Sequence, residues 1–346
     1  MKLNTPTTRY SGSKRKLVNK IWQVIDSLGL EFTSVLDVFG GTGSFAYHAK
    51  RHGKQVIYND IFKFNYLIGQ ALIENDTVEL TLDELRNLFN HNYCVNYDNI
   101  IETNYKGIYY TDEENKQIDI LVKNIQNLDS DSKRASAYYL LFQSCLIKRP
   151  YNLFHRKNLN LRVNFNGGRF GNKTSWETTF SELFERFYKE LIQYCFSNSQ
   201  ENYAINQSAL DCDAHAELVY IDPPYFNDNT HVTYHSRYHF LEGLANYEIL
   251  EANINHSKRN KEVEINNNND FENKHEFLNN LSALILNHNQ SIIALSYRGN
   301  GFPHILSIKE VVEQYKHTVE VVDLGNYSYA LNRNNNLNNE YLIIGY

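Results

Sequence analysis

The sequence predicts an α/β fold, in which a mostly helical insertion interrupts a parallel sheet. A βαβ unit stands near the start of the chain, where short apolar strands over 35–39 and 55–58 flank a helix over 44–52. Helical patterns dominate residues 62–200, and apolar strands return from residue 218 onward. Strands that alternate with helices favour a parallel sheet, because each crossover helix returns the chain to the same end of the sheet.

The remaining elements follow from the spacing of apolar residues. Leu17, Ile21, Trp22 and Ile25 recur at helical spacing and predict a helix over 14–28. The helices predicted in the insertion cover 62–75, 82–91, 114–128, 132–147 and 176–196. The elements predicted after it are strands over 218–221, 291–296, 318–323 and 341–345 and helices over 238–253 and 270–287. The last two strands are consistent with an antiparallel hairpin at the sheet edge, because a polar, Asn-rich connection joins them.

Length and composition exclude several protein classes. A chain of 346 residues with 42% hydrophobic residues can bury a large core, as one domain or as a domain with an insertion. No apolar run of 18 residues exists and the N-terminus is polar and basic, so we expect a cytoplasmic protein with no membrane partner. The four cysteines are scattered and form no C-x-x-C pair, which predicts neither disulfides nor a bound metal.

Positive charge is concentrated in two stretches, although the net charge of the chain is −6. Residues 1–25 and 148–173 both contain several Lys and Arg residues and no acidic residue. Such stretches are typical of a polyanion-binding surface, and two solvated loops are the alternative reading. The second stretch also contains aromatic and Asn residues, and its candidate nucleic-acid contacts are Arg149, Arg156, Lys157, Arg162, Arg169 and Lys173.

A glycine-rich turn follows the first predicted strand. Residues 37–43 read Asp-Val-Phe-Gly-Gly-Thr-Gly, and glycines there let the chain turn sharply and let a ligand approach the backbone. Asp60 follows the second strand, where an acid can accept both hydroxyls of a ribose. The two features predict a nucleoside cofactor, and they leave a dinucleotide and S-adenosylmethionine both open.

The tetrad Asp222-Pro223-Pro224-Tyr225 follows another apolar strand. The carboxylate of Asp222 and the carbonyl of Pro223 could accept the two hydrogens of an exocyclic amine, which would direct its lone pair toward a methyl sulfonium. Tyr225 could stack on the base that carries the amine. In-line placement of amine and methyl would supply the remaining rate gain, without a metal.

Three motifs together resemble the alpha-class, Dam-type DNA adenine N6-methyltransferases. They are Arg9-Tyr10-Ser11-Gly12-Ser13-Lys14, residues 37–43 and the tetrad at 222–225, in the order that class uses. The resemblance implies a Rossmann-like S-adenosylmethionine-dependent methyltransferase sheet, with residues 1–61 and 204–346 as the catalytic domain. Residues 62–203 would form an inserted, mostly helical target-recognition domain that binds double-stranded DNA.

The resemblance also assigns residues to roles. Asp222, Pro223, Pro224 and Tyr225 would be catalytic. The residues that would bind the cofactor are Tyr10, Gly12, Lys14, Asp37, Phe39, Gly40, Gly41, Gly43, Asp60, Ile61, Asp211, Cys212 and Asp222.

Several alternatives stay open at this point. The same tetrad could act on the N4 amino group of cytosine, on RNA or on protein, and a catalytically inactive DNA-binding module is a reading from another class. A nicotinamide-dependent oxidoreductase is disfavoured, because it leaves the tetrad unexplained. Residues 234–238 either close over the base or begin a packed helix. We expect a monomer that is the modification enzyme of a restriction-modification system or an orphan or phage methylase. The sequence does not decide whether a separate restriction endonuclease acts on the same site.

Overall fold

The computed structural model describes residue 6 and residues 13–164, 173–226, 232–265, 269–326 and 339–346. The chain divides into two compact units. One contains Thr77–Phe196 and Val232–Asn266, and the other contains Tyr10–Asp76, Ser197–His231 and Asn267–Tyr346. They are called here the helical unit and the sheet unit. Among the described residues, no helix is both long enough and apolar enough to cross a membrane.

The sheet unit is built around seven strands in the order β3-β2-β1-β4-β5-β7-β6. The first five, in that order, are mutually parallel, and β7 runs antiparallel to both of its neighbours. The strands are β1 (Ser34–Asp37), β2 (Gln55–Asn59), β3 (Tyr203–Ile205), β4 (Leu218–Ile221), β5 (Ile292–Arg298), β6 (Val319–Asn326) and β7 (Asn339–Gly345).

Helices pack against this sheet because each carries an apolar stripe. In Val18–Ser27 the buried residues are Val18, Ile21, Trp22 and Ile25, which lie on one helical face. β4 is buried at every position, as expected for a central parallel strand covered on both sides. The other helices of this unit are Ser44–Arg51, Lys63–Gly69 with a π-helical turn over Gln70–Glu74, Phe277–Asn287 and Ile305–Glu313, and short 3-10 turns lie at Lys14–Lys16 and Asp270–Glu272.

The structure confirms the mixed α/β class and the parallel core of the sheet. Every strand predicted from the sequence is present within a few residues, and the last two pair as an antiparallel hairpin. The predicted helix over 82–91 is shorter, because it ends at Asn87, and the one predicted over 176–196 begins at Phe180. The elements that the sequence patterns did not predict are β3 and the helices Ile100–Asn104, Leu159–Val163, Lys173–Glu177 and Ile305–Glu313.

The helical unit contains helices with well-defined starts. Three of them begin with a capping box. In each, the side chain of the N-cap Thr accepts from the backbone amide of the Glu at N3, and the side chain of that Glu accepts from the backbone amide of the Thr. Tyr238 is 1% exposed within Tyr234–Ala245, so this part of the 234–238 segment is a packed helix start. The helices of the unit are Leu82–Asn87, Ile100–Asn104, Asp112–Gln126, Asp131–Ile147, Leu159–Val163, Lys173–Glu177, Phe180–Tyr194, Tyr234–Ala245 and Tyr247–Leu250, with 3-10 turns at Pro150–Asn152 and Glu251–Asn253.

The boundaries of the two compact units differ from the predicted domain boundaries. The sheet unit extends to Asp76, and Val232–Asn266 belongs to the helical unit although it falls within the predicted catalytic domain. Compactness does not assign a role to either unit, so the catalytic and target-recognition domains stay a prediction.

The glycine turn after β1 is fixed by an aromatic ring. The hydroxyl of Tyr58 donates to the carbonyl of Gly41 over 2.7 Å. A Cβ atom at Gly40 would lie 2.1 Å from the Tyr58 ring, which is closer than any two carbon atoms can pack. Gly69 meets the same ring, at 2.4 Å for its hypothetical Cβ. The Tyr58 ring therefore requires glycine at both positions.

We predict that Gly40→Ala destabilises the protein by about 2–3 kcal/mol, because the methyl group forces Tyr58 out of its packed position. Gly53→Ala is the matched control. Gly53 has φ +73° and open space around a hypothetical Cβ, so it loses only the roughly 1 kcal/mol of a strained backbone. Urea unfolding of both variants measures the difference, and equal losses would contradict the steric explanation.

Candidate active site

Three aspartates lie at the carboxyl ends of neighbouring parallel strands. Asp37 ends β1, Asp60 follows β2 and Asp222 follows β4, and β1 pairs with both of the other strands. Ligands of open α/β sheets bind at this edge. The structure therefore brings together the acids of the glycine turn, of the second strand and of the tetrad.

Asp60 holds the glycine turn in place. Its Oδ2 accepts from the Gly41 amide over 2.8 Å and from the Asn65 side chain over 3.1 Å, and its Oδ1 accepts from the Phe62 amide over 2.9 Å. Burial raises the pKa of Asp60 to about 6, although all three hydrogen bonds act to lower it. Each carboxylate oxygen can accept two hydrogen bonds, so the group retains acceptor capacity for a ligand.

Asp37 is buried with an unsatisfied oxygen. Its Oδ2 accepts from the Ala46 amide over 3.2 Å, whereas its buried Oδ1 has no hydrogen-bond partner among the described residues. Burial raises the pKa of Asp37 well above its ordinary value, and the negative charge of Asp222 raises it further. A buried acceptor without a donor is costly, and a ligand at this edge could supply the missing donor.

Lys14 lies among the catalytic candidates. Its Nζ is 3.0 Å from Asp222 Oδ1 and 2.6 Å from Glu340 Oε1, and it also donates to the Tyr225 hydroxyl. The ammonium lies 4.7 Å from the centre of the Tyr225 ring. Lys14 is 3% exposed, Asp222 17% and Glu340 1%, so water screens these charges little.

The tetrad itself is closely packed. The Tyr225 hydroxyl donates to Asp222 Oδ1 and lies 3.1 Å from Glu340 Oε1. The ring of Tyr225 packs edge-on against Tyr297 at 5.3 Å between centres. Burial raises the pKa of Asp222, the Lys14 ammonium opposes this effect, and the Glu340 carboxylate adds to it.

Sequence reasoning missed two members of this cluster, Glu340 and Ser296. The Ser296 hydroxyl donates to Glu340 Oε1 over 3.0 Å. The last predicted strand begins one residue after Glu340, which leaves this acid in the polar connection. A carboxylate at the start of a strongly apolar strand is the signal that could have found it, because buried acids need a functional or structural partner.

The N-terminal motif is only partly described. Ser13 lies beside the glycine turn, with its hydroxyl 3.2 Å from that of Ser44 and 3.4 Å from that of Thr42. Tyr10 and Gly12, both predicted to bind the cofactor, lie outside the described residues.

The other predicted cofactor residues have mixed environments. Phe39 packs edge-on against Phe271 at 4.9 Å between ring centres, and Ile61 is half-buried. Asp211 is exposed, whereas Cys212 is buried in the sheet core and its pKa is raised by burial. Among the motif glycines, Gly41 and Gly43 have positive φ values of 51° and 69°, which L side chains rarely adopt.

Two of the predicted DNA contacts point into the helical unit. The Arg149 guanidinium, 1% exposed, donates to the carbonyls of Leu153 and Arg156 and lies 4.4 Å from the centre of the Tyr109 ring. Arg162 donates to Glu114, which also pairs with Lys148 at 2.9 Å. These internal partners replace the expected phosphate contacts, and we therefore leave Arg149 and Arg162 out of the DNA interface.

The remaining basic candidates are exposed where they are described. Arg156 and Lys157 lie on the surface between Pro150–Asn152 and Leu159–Val163. Lys173 is also exposed and pairs with Glu177 at 3.4 Å. Arg169 lies outside the described residues. The exposed pair Arg156 and Lys157 is thus the best-described candidate contact with a polyanion.

Comparison with known proteins identifies relatives of the chain. The model of a family described as D12 class N6 adenine-specific DNA methyltransferase matches residues 10–296. The type II methyltransferase M2.HphI of Haemophilus parahaemolyticus is 29% identical over 75% of the chain and 77% of its own length. The type II methyltransferase M.NlaIII of Neisseria lactamica is 24% identical over 88% of both chains.

One further relative is much longer than the matched region. The type II methyltransferase M.FokI of Planomicrobium okeanokoites is 24% identical over 70% of the chain, and the match covers 37% of its own length. The matched family region spans the glycine turn, Asp60 and the tetrad, and it ends before Glu340.

We predict that Lys14→Met costs about 3–5 kcal/mol of stability at pH 8, because the change removes an ammonium that contacts the partly buried carboxylate of Asp222 and the buried carboxylate of Glu340. The loss should be smaller at pH 5. The Lys14 ammonium lowers the pKa of Asp222, so its removal raises that pKa further above the ordinary value. The folded variant then binds more protons than the unfolded chain, and its stability falls as pH rises.

Urea unfolding at the two pH values measures this dependence. The control is Lys309→Met, which removes a partly exposed helical pair with Glu313 and should cost less than about 1 kcal/mol at either pH. Equal losses for Lys14→Met at both pH values would show that the charge of Lys14 does not compensate the carboxylates.

Proposed function

The chain belongs to the D12 class N6 adenine-specific DNA methyltransferase family, and we propose that it transfers a methyl group from S-adenosylmethionine to an adenine extruded from double-stranded DNA. It is thus an adenine-specific DNA methyltransferase, of a class that generally uses this cofactor. The observation that carries the proposed mechanism is the position of Asp222, at the carboxyl end of a central parallel strand and in contact with Lys14 and Tyr225.

The residues at the sheet edge fit the cofactor. The buried Oδ1 of Asp37 lacks a donor among the described residues, and the Asp60 carboxylate beside the glycine turn retains acceptor capacity. We assign the ribose hydroxyls to Asp60 and the rest of the nucleoside to the neighbourhood of Phe39, Asp211 and Cys212. When bound, S-adenosylmethionine supplies a methyl group on a positively charged sulfur.

Asp222 and Pro223 would hold the target amine. The carboxylate of Asp222 accepts one hydrogen of the adenine N6 amino group, and the carbonyl of Pro223 accepts the other. Both prolines restrict the backbone, so these acceptors are held rigidly at the strand end. The ring of Tyr225 offers a face on which the extruded base can stack.

The biological setting is inferred from the relatives. Three relatives are named type II methyltransferases, and a fourth is named a modification methylase. We therefore assign this chain to the modification of a DNA site that a separate restriction endonuclease also recognises. A monomer suffices for this task, because each strand of the site can be methylated in turn.

The direct test is methyl transfer to unmethylated genomic DNA with labelled S-adenosylmethionine, followed by digestion to nucleosides. We expect label in N6-methyladenosine, and Asp222→Ala should lower its rate at least about 100-fold because the amine loses its acceptor. Asp26→Ala, which removes an exposed carboxylate on Val18–Ser27, should be fully active.

The alternatives give other results in the same assay. Label in N4-methylcytosine would change the target base and leave the mechanism intact. Bound cofactor with no label in any DNA would point to RNA or protein as the substrate.

The exposed basic pair of the helical unit gives a prediction for DNA binding. Arg156→Ala/Lys157→Ala should weaken binding to duplex DNA and reduce the slope of log K against log salt by ~2, because two phosphate contacts are lost. Lys106→Ala/Lys116→Ala, which removes two exposed lysines elsewhere in this unit, should leave the slope unchanged. A fluorescence titration at several salt concentrations measures both variants, and equal slopes for them would place the DNA contact at other residues.

A further inference from the structure

Glu340 is a buried acid in an apolar strand. It is 1% exposed, and the strand continues into the fully buried Leu342, Ile343 and Ile344. One of its oxygens, Oε1, accepts from the Lys14 ammonium and the Ser296 hydroxyl, and it lies 3.1 Å from the Tyr225 hydroxyl, which donates to Asp222. Replacing buried ionic groups by apolar residues is often neutral or stabilising, so stability alone does not explain a carboxylate here.

Among the residues that the structure describes, the acids around Lys14 outnumber the ammonium. The ammonium of Lys14 contacts the carboxylates of Asp222 and Glu340, and Asp37 adds a third acid near Asp222. With Lys14 and Asp222 alone, the ammonium would cancel the charge of the carboxylate that is proposed to hold the target amine. Glu340 balances Lys14, so that Lys14 can orient Asp222 without cancelling its charge.

This balance matters for the proposed reaction. The lone pair of the amine nitrogen forms the new N–C bond while the C–S bonding pair returns to sulfur, and the nitrogen becomes positively charged before it releases one proton to solvent. Negative charge held beside that nitrogen stabilises the transition state more than the ground state, and this difference is what accelerates a reaction.

We propose that Glu340 is a positioning residue for methyl transfer, which acts through Lys14 to fix the Asp222 carboxylate and to keep the site negatively charged. This inference rests on the proposed function, since it assumes that Asp222 binds the amine. The Tyr225 hydroxyl belongs to the same arrangement, because it contacts both carboxylates. Glu340 lies beyond residues 10–296, to which the family match extends.

The test compares Glu340→Gln, Glu340→Asp, Lys14→Met and the double variant Glu340→Gln/Lys14→Met in the full chain. The single-turnover rate of methyl transfer is measured with saturating S-adenosylmethionine and a duplex that the unmodified protein methylates. Dissociation constants for both ligands and circular dichroism are recorded under the same conditions. Glu320→Gln, on the neighbouring strand β6, is the matched control and should keep the full rate.

We expect Glu340→Gln to lower the rate about 10- to 100-fold, which corresponds to the loss of one charge-assisted hydrogen bond in the transition state. The dissociation constants for S-adenosylmethionine and DNA should stay within about twofold of those of the unmodified protein. Glu340→Asp keeps the charge on a shorter side chain and should give an intermediate rate. The double variant should be no slower than Lys14→Met alone, because Glu340 acts through Lys14. It should also be more stable than Lys14→Met, since one uncompensated carboxylate is gone.

Other outcomes would overturn the inference. A full rate in folded Glu340→Gln, with only a lower unfolding temperature, would make Glu340 purely structural. Losses that multiply in the double variant would show that Glu340 acts independently of Lys14. If Glu340→Gln does not fold, Glu340→Asp decides, because a full rate with the shortened side chain excludes positioning.

A separate variant tests the assumption that Asp222 binds the target amine. Asp222→Asn at the full rate would disprove the proposed role of Asp222, whatever Glu340 does. An inactive Asp222→Asn together with a fully active Glu340→Gln would reject the role of Glu340 alone.

Discussion

Acids that are buried side by side repel one another and lose their hydration, and the edge of this sheet depends on the ammonium of Lys14 to hold them. Lys14 precedes the first strand, Asp222 follows β4 and Glu340 lies in β7, so two ion pairs of one ammonium join distant parts of the sheet unit. Asp222 reaches this edge because it follows a parallel strand, whereas Glu340 reaches it because β7 runs antiparallel and begins beside the end of β5.

The electrostatics of this edge suit its chemistry. Burial raises the pKa values of Asp37, Asp60 and Asp222, so their charges are held at an energetic cost that a positively charged ligand would offset. A sulfonium cofactor and an amine that becomes positive are both such partners. The basic pair proposed to contact DNA, Arg156 and Lys157, belongs to the helical unit, whereas these acids belong to the sheet unit.

Much of the sheet and of the candidate site could be predicted from the sequence, because strands and motifs are local signals. The tetrad follows a continuous apolar strand, and a residue directly after such a strand lies at the carboxyl edge of a parallel sheet, which is where Asp222 is found. Glu340 could not be found in this way, since its partners Lys14 and Ser296 are distant in sequence and only the pairing of β5 with β7 brings it to them. The family resemblance points to Lys14, but as a cofactor contact and not as the cation of the acids.

The basic stretch over residues 148–173 shows a second limit of prediction from the sequence. Charge and composition do not reveal which side chains point inward, so the sequence does not distinguish Arg149 and Arg162 from Arg156 and Lys157. The difference comes from tertiary partners, the Tyr109 ring for one arginine and the half-buried Glu114 for the other.

Those inward-pointing groups have a thermodynamic consequence. Glu114 caps Asp112–Gln126 and also pairs with Lys148 and Arg162, while Arg149 holds the carbonyls of Leu153 and Arg156. The backbone that carries the exposed basic pair is therefore ordered before any nucleic acid arrives, and its conformational entropy is already lost during folding. Association at this segment requires little coupled folding, and its calorimetric signature should be a small change in heat capacity with an enthalpy that varies little with temperature.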